Sequence, residues 1–316
     1  MTMKARHLLS ASTIIVGILL RGPEIGAQAV KYVDFGSNKN VRLSYTALQE
    51  TAAAISMDLA LEKGAQELRY YVGFDPAPAG RYATKGADRL YFEIFDSAVE
   101  PRRVLMDTLS AVSSDEVLSG VFPLPDKPTR GPTDTRSFAL VVPGGGFAPA
   151  GRYTATVTAS LWSGPFKSGV YKGMASLNLA VDVGEIIDIA VVPVSLPFDY
   201  AAKNLTMDFG FLEAGNSRAA DMVARANTTY GVSLSSANGG RLRNADPSDA
   251  SEIPYELRID AAVLALAPGT AVPIAAGAPA TTSEGRRYRM EARILPFDFP
   301  TEGEYTDILT ITISKN

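Results

Sequence analysis

The end of this chain alternates with a period of two. From Tyr305 to Ser314, side chains 305, 307, 309, 311 and 313 share one face. Leu309, Ile311 and Ile313 make that face apolar, while Thr306, Thr310 and Thr312 lie opposite. Such a pattern describes a half-buried strand with a dry side and a wet side. Ser176 to Val183 behaves likewise, with Leu177, Leu179, Val181 and Val183 set against Asn178 and Asp182. Segments rich in β-branched and aromatic residues recur throughout, among them Arg42–Tyr45, Gln66–Val72, Leu90–Phe95, Ser137–Val142, Tyr153–Leu161, Ile186–Val192, Tyr230–Ser235, Tyr255–Ile259 and Tyr288–Ile294. Clusters such as Asp75-Pro76-Ala77-Pro78 and Pro143-Gly144-Gly145-Gly146 punctuate them. Ala47 to Leu61 competes for a helix, but the alternation of Ile55, Met57 and Leu59 favours a strand. Short strands with frequent turns predict an all-β chain of sandwiches rather than βαβ units.

The chain also repeats itself. Phe147-Ala-Pro-Ala-Gly151-Arg-Tyr153-Thr154 and Phe299-Pro-Thr-Glu-Gly303-Glu-Tyr305-Thr306 share one spacing, and each leads into a strand with a further Thr, Thr158 or Thr310. An Asp-Phe-Gly triplet occurs at Asp34–Gly36 and again at Asp208–Gly210, and Leu90–Asp96 has a looser counterpart in Pro254–Asp260. A fixed order met twice predicts tandem homologous domains. The break in strand pattern around Gly164-Pro165 and Lys167-Ser-Gly169 puts the boundary between Ser163 and Gly173. On this reading residues 30–165 form an N-terminal β-sandwich and residues 174–316 a C-terminal one.

The first 29 residues read as a secretory signal. Lys4, Arg6 and His7 precede a 13-residue apolar stretch, Leu8 to Leu20, and Ala27-Gln28-Ala29 offers the small residues a signal peptidase reads. The stretch is too short to span a bilayer, and no later segment offers 18 uninterrupted apolar residues. Cleavage after Ala29 would leave 27 basic against 33 acidic residues, a poor balance for a nucleic-acid partner. There is no cysteine, and the one histidine, His7, leaves with the signal. The exported chain would therefore have no disulfide, no thiol nucleophile, no Ser-His-Asp machinery and no nitrogen–sulfur zinc site.

The remaining chemistry is better explained by structure. Gly144-Gly145-Gly146 lacks the Gly-Lys-Ser/Thr of a phosphate loop and reads as a turn. Asp208-Phe209-Gly210 has no accompanying kinase motifs. Asp246, Asp249 and Glu252 miss the spacing of a calcium loop. Arg287, Arg289 and Arg293 share a strand face with Glu291, as a solvated charge ladder would, with Tyr288, Met290 and Ile294 on the other face. Glu302, Glu304 and Asp307 are the carboxylates a glycosidase would need, but they sit beside the repeat motif, where structure suffices. No enzyme activity and no cofactor are expected. Val121-Phe122-Pro123-Leu124-Pro125 is an apolar loop, and Val121, Phe122, Leu124, Phe147 and Trp162 are weighed as an adhesive surface against a plain apolar plug.

At the repeat motif the sequence resembles the spore coat protein U family, which includes subunits of archaic chaperone–usher pili. Gly303-Glu-Tyr305-Thr-Asp307-Ile-Leu-Thr310-Ile-Thr312 follows that family's closing motif, and Gly151-Arg-Tyr153-Thr-Ala155-Thr is a weaker copy without the Asp. Phe209-Gly210, Ser236-Ala-Asn238-Gly239-Gly240-Arg-Leu-Arg243 and Ile253-Pro-Tyr255 are similar to it as well. The family's disulfide cannot carry over to a chain without cysteine. The resemblance implies two immunoglobulin-like sandwiches, the second lacking its last strand, with Leu177, Leu179 and Val181 lining a donor-strand groove together with Leu309, Ile311 and Ile313. It implies a secreted adhesive pilus subunit, at the fibre tip because two domains are present and little chain separates the signal from Asp34. Its partners would be a periplasmic chaperone, an outer-membrane usher, a neighbouring pilus subunit and a surface or glycan receptor. A free carbohydrate-binding or coat protein of two complete sandwiches is the alternative, and a glycosidase-like periplasmic enzyme the third reading.

Overall fold

Alternation dictates that each strand bury one row of side chains, and two stacked sheets are the simplest way to do so. The computed structural model describes residues 30–315 except 48, 77–79, 126–129 and 299. The signal segment with its cleavage site and Phe299 of the second motif copy lie outside the described residues. No described helix is long and apolar enough to cross a membrane.

The first sandwich is built from β1 (Val33–Asp34), β2 (Asn40–Tyr45), β3 (Thr51–Ala60), β4 (Arg69–Pro76), β5 (Tyr82–Lys85), β6 (Asp88–Tyr91), β7 (Glu93–Phe95), β8 (Leu118–Val121), β9 (Thr133–Val142), β10 (Gly151–Ser163) and β11 (Val170–Val183). One sheet runs β1-β3-β9-β7; the other runs β2-β11-β10-β4-β8, with β5 joining β10 to β6. The contested segment before Leu61 is the strand β3, and Ile55, Met57 and Leu59 are its buried row. The core closes around Val72, Phe74, Phe92, Phe138, Tyr153 and Val157.

The second sandwich follows with β12 (Ile187–Pro193), β13 (Ser217–Ala226), β14 (Tyr230–Ser236), β15 (Arg241–Asn244), β16 (Glu252–Ile259), β17 (Ala262–Leu264), β18 (Val272–Ala278), β19 (Arg286–Ile294), β20 (Tyr305–Thr306) and β21 (Leu309–Lys315). Its larger sheet runs β12-β13-β19-β16-β15-β20, with β17 on β16, and its smaller one β18-β14-β21. Met222, Tyr230, Leu234, Leu257, Tyr288 and Met290 fill its core.

The two sandwiches share a plan. β1-β3-β9-β7 and β12-β13-β19-β16 have the same chain order, that of the four-stranded sheet in an immunoglobulin constant-type sandwich. The strand after each Gly-x-Tyr motif pairs antiparallel with the strand that follows the β3 or β13 position: β10 with β4, and β21 with β14. The motif itself is a tyrosine corner. Tyr153 donates its hydroxyl to the Pro149 carbonyl at 2.9 Å, and Tyr305 donates to the Thr301 carbonyl at 2.8 Å, four residues upstream in both cases. Burial pushes the Tyr153 phenol up to about 12, helped by nearby Asp88.

One expectation fails here. The boundary between Ser163 and Gly173, with a second domain starting at 174, cuts through the β10–β11 hairpin. β11 pairs along its length with β10 and runs parallel to β2, so it is the last strand of the first sandwich. The Gly and Pro residues from 164 to 169 make a hairpin turn rather than a linker. The passage between sandwiches is the short stretch Gly184-Glu185-Ile186.

Buried Asn227 fastens that passage. Its side-chain amide donates to the carbonyls of Ala148 (3.1 Å) and Gly184 (2.8 Å), and its Oδ1 accepts from the Ile186 amide at 2.7 Å. Its own carbonyl accepts from the Ala150 amide at 2.8 Å. One side chain thus ties the loop before β10, the linker and the β13–β14 turn together.

Candidate functional site: an open edge in the second sandwich

In a closed sandwich the inward row of every strand is dry. In the first sandwich this holds for the strand after the tyrosine corner and for its neighbour: Tyr153, Val157, Ala159 and Leu161 on β10 and Leu177, Leu179 and Val181 on β11 are all buried. In the second, the inward row of β21 is only half-buried. Leu309, Ile311 and Ile313 pack against the core from one side and remain accessible from the other. Among the described residues β21 hydrogen-bonds to β14 alone.

The other border of the opening is β12. Among the described residues its one strand partner is β13, with the Val191 amide also donating to the Ala202 carbonyl of the following loop at 2.8 Å, and it approaches β21 without hydrogen-bonding to it. Its inward residues Ile187, Ile189 and Val191 are likewise half-buried against the core. Its opposite row, Ala190 and Val192, is buried under Phe198 and Ala202 of the following loop. That loop is held by Asp221, a buried carboxylate that accepts from the Ser195 amide at 2.7 Å and from Arg287 and Arg289. Burial pushes the Asp221 carboxyl up, but the Ser195 amide, Arg289 and Arg287 outweigh it and hold it below the ordinary carboxylate value. Two arginines of the expected charge ladder are therefore loop anchors. At the linker end, Lys315 and Glu185 pair at 2.6 Å and link the end of β21 to the start of β12.

Asp307 fixes the approach to β21. One carboxylate oxygen accepts from the Ser236 and Tyr255 hydroxyls, each at 2.5 Å, and the other from the amides of Asn238 and Ile308. Burial first, then the Asp307 carboxylate, pushes the Tyr255 phenol well up. This knot gives the Asp of the closing motif a structural role, and the first sandwich has Ala155 in its place. Of the other candidate carboxylates, Asp246 is engaged by Ser248, Asp249 by Asn244 and Ser251, and Glu252 by Arg241 and Arg243, while Glu302 and Glu304 are exposed.

The structure divides the expected groove residues. Leu309, Ile311 and Ile313 border the opening, whereas Leu177, Leu179 and Val181 lie in the core of the other sandwich. The residues that replace them, Ile187, Ile189 and Val191, went unassigned in the sequence. Their alternation directly after Gly184 was the available signal. The expected adhesive residues also separate. Val121 and Leu124 are 63% and 79% exposed, but Phe122 is buried at 2%, packed on Tyr70. Phe147 lies at the junction of the sandwiches, 4.8 Å from the Arg225 guanidinium. Trp162 stacks on Tyr71 with ring centroids 6.0 Å apart and meets the edge of Tyr171 at 5.2 Å, half-buried on the sheet's outer face.

No family model matches the chain, and no curated protein matches it. Solved structures do. The chaperone–tip adhesion subunit pre-assembly complex of archaic chaperone–usher Csu pili from Acinetobacter baumannii aligns at 12% identity over 89% of this chain and 99% of that one, with a TM-score of 0.40. CfaE, the adhesive subunit of CFA/I fimbria of enterotoxigenic Escherichia coli, aligns at 12% identity over 89% and 93%, with a TM-score of 0.38. The CupB6 tip adhesin from Pseudomonas aeruginosa aligns at 13% identity over 83% and 86%, with a TM-score of 0.31.

Proposed function

We propose that the chain is an exported adhesive subunit of an archaic chaperone–usher pilus, whose second sandwich is completed by a strand donated from another polypeptide. The observation that carries this reading is the opening between β12 and β21, two apolar strand edges with no strand between them among the described residues. An extended segment laid there would bury alternate side chains among Ile187, Ile189, Val191, Leu309, Ile311 and Ile313 while pairing with the free edge of β21. A bare apolar edge invites aggregation, so a chaperone would cover it before assembly and a neighbouring subunit afterwards. The usher would receive the covered subunit at the outer membrane. The first sandwich already holds β11 in the corresponding place and takes no donor. One acceptor groove behind a complete distal sandwich suits the tip of a fibre, with adhesion assigned to the first sandwich.

The test is co-expression with a periplasmic pilus chaperone. The expected result is a stable one-to-one complex, lost in Ile311→Asp, because a charge on the groove wall would face the apolar donor row at a cost of several kcal/mol. A wild-type chain that stays soluble, monomeric and chaperone-free would replace this reading with the free binding protein of two finished sandwiches.

A further inference from the structure

The end of the first sandwich remote from the linker carries a cavity that the assembly reading does not use. β10 begins beside Asn227 and ends at Ser163, and its 13 residues reach about 40 Å at ~3.3 Å per residue. At that far end, residues 61–68 between β3 and β4 and residues 164–169 between β10 and β11 face each other across a cavity of about 310 Å³. In an immunoglobulin variable domain, the loops in these two places belong to the recognition end.

The cavity's charges cancel in pairs. Lys172 crosses it to donate to Oε1 of Glu62 at 2.5 Å, and the guanidinium of Arg69 holds Glu67 at 2.6 Å. The lysine keeps the Glu62 carboxyl below its ordinary value, so it is ionised at neutral pH. Its other oxygen, Oε2, is closed off from solvent, so the carboxylate acts on the cavity through its pair with Lys172. Ser163 spends its hydroxyl proton on the Glu67 carbonyl and so offers only acceptor lone pairs. Ala65, Pro165 and Val170 supply an apolar wall, Val170 being 65% exposed. The exposed Val121 and Leu124 stand nearby, since Val121 pairs with Arg69 and the Phe122 amide donates to the Leu68 carbonyl.

We propose that this cavity binds a neutral saccharide unit. An ion would gain little from a site whose charges are already paired, whereas a sugar matches its donors and acceptors. Lys172 would donate to a sugar oxygen, Ser163 Oγ would accept a hydroxyl proton, and the C–H face of the ring would lie on Pro165 and Val170. The volume sits at the lower end of the ~300–1,000 Å³ typical of small-ligand sites, which suits one terminal unit of a glycan. The proposal rests on the adhesive part of the function proposed above and is independent of the donor groove.

The experiment uses the full exported chain, together with its chaperone where one is bound, on an array of immobilised neutral, sialylated and sulfated oligosaccharides, followed by titration with the neutral glycans that bind. Neutral glycans should be retained, and at least tenfold in affinity should be lost in Glu62→Gln, which releases Lys172 from the ion pair that holds it. Val170→Arg changes an exposed side chain at the cavity wall, so it should lose as much with an unchanged melting temperature. Ile311→Asp should bind glycans like the wild type. Retention of no neutral glycan, preference for the sialylated or sulfated arms, or undiminished binding by both cavity variants would overturn the proposal. Measuring chaperone capture on the same four proteins separates this failure from a failure of the assembly reading.

Discussion

In the first sandwich β10 has hydrogen-bonded neighbours on both sides, β4 and β11. In the second, the corresponding β21 has β14 on one side and no strand among the described residues on the other. β10 contains a tyrosine corner, β21 follows one, and both run through the same kind of alternation. A single strand accounts for the change from a dry row on β10 to a half-wet row on β21. Burying one more row of Leu- and Val-sized side chains stabilises a sandwich by roughly 1.5–3 kcal/mol for each side chain. The first sandwich has this contribution within its own chain, and among the described residues the second does not.

The contrast can be broken most severely by placing the same charge in both. Leu179→Asp buries an unpaired carboxylate in the first core and should cost about 4 kcal/mol or more. Ile311→Asp faces the open side and should cost the free chain no more than about 1 kcal/mol. Guanidinium unfolding of both variants reads the difference, and equal losses would mean that the second sandwich is already closed. Asn227→Ala tests whether the two sandwiches move as a unit. It removes three side-chain hydrogen bonds at a buried junction, with an expected loss of about 1–3 kcal/mol. Solution scattering should then show a broadened distribution of inter-domain distances, which an independent pair of domains would already show in the wild type.

Smaller effects sharpen the comparison. Tyr153→Phe removes the corner bond from a buried ring and should cost about 1 kcal/mol. Tyr305→Phe should cost less, because its ring is half-exposed. Thermal melts of the two variants settle the order. Acid should act through Asp221, whose folded-state carboxyl lies below its ordinary value. Its stabilisation is fully present above about pH 4 and is lost as the pH falls through the lowered value. Melting of Asp221→Asn should therefore approach that of the wild type as the solution is made more acid, with the gap widest near neutrality.

Particular residues show how far the sequence reached. The alternation of Leu309, Ile311 and Ile313 identified their inward face, because side-chain period depends only on local backbone geometry. The Gly-x-Tyr repeat identified equivalent strands, because a tyrosine corner is closed by residues four apart. Asp307 was visible as part of a motif, but its ring of partners from Ser236 to Tyr255 was not.

What the sequence determined by itself was therefore the local part: strands, their faces, the duplicated plan, and a chain without cysteine and with no histidine after His7. The tertiary structure alone decided which sheet each strand joins. Leu177, Leu179 and Val181 alternate as a groove wall would, yet β11 turns back along β10 and seals the first core, leaving Ile187, Ile189 and Val191 to border the opening. Strand pairing is made across distant stretches of chain, and a period of two says which way a side chain points but not which neighbour it meets.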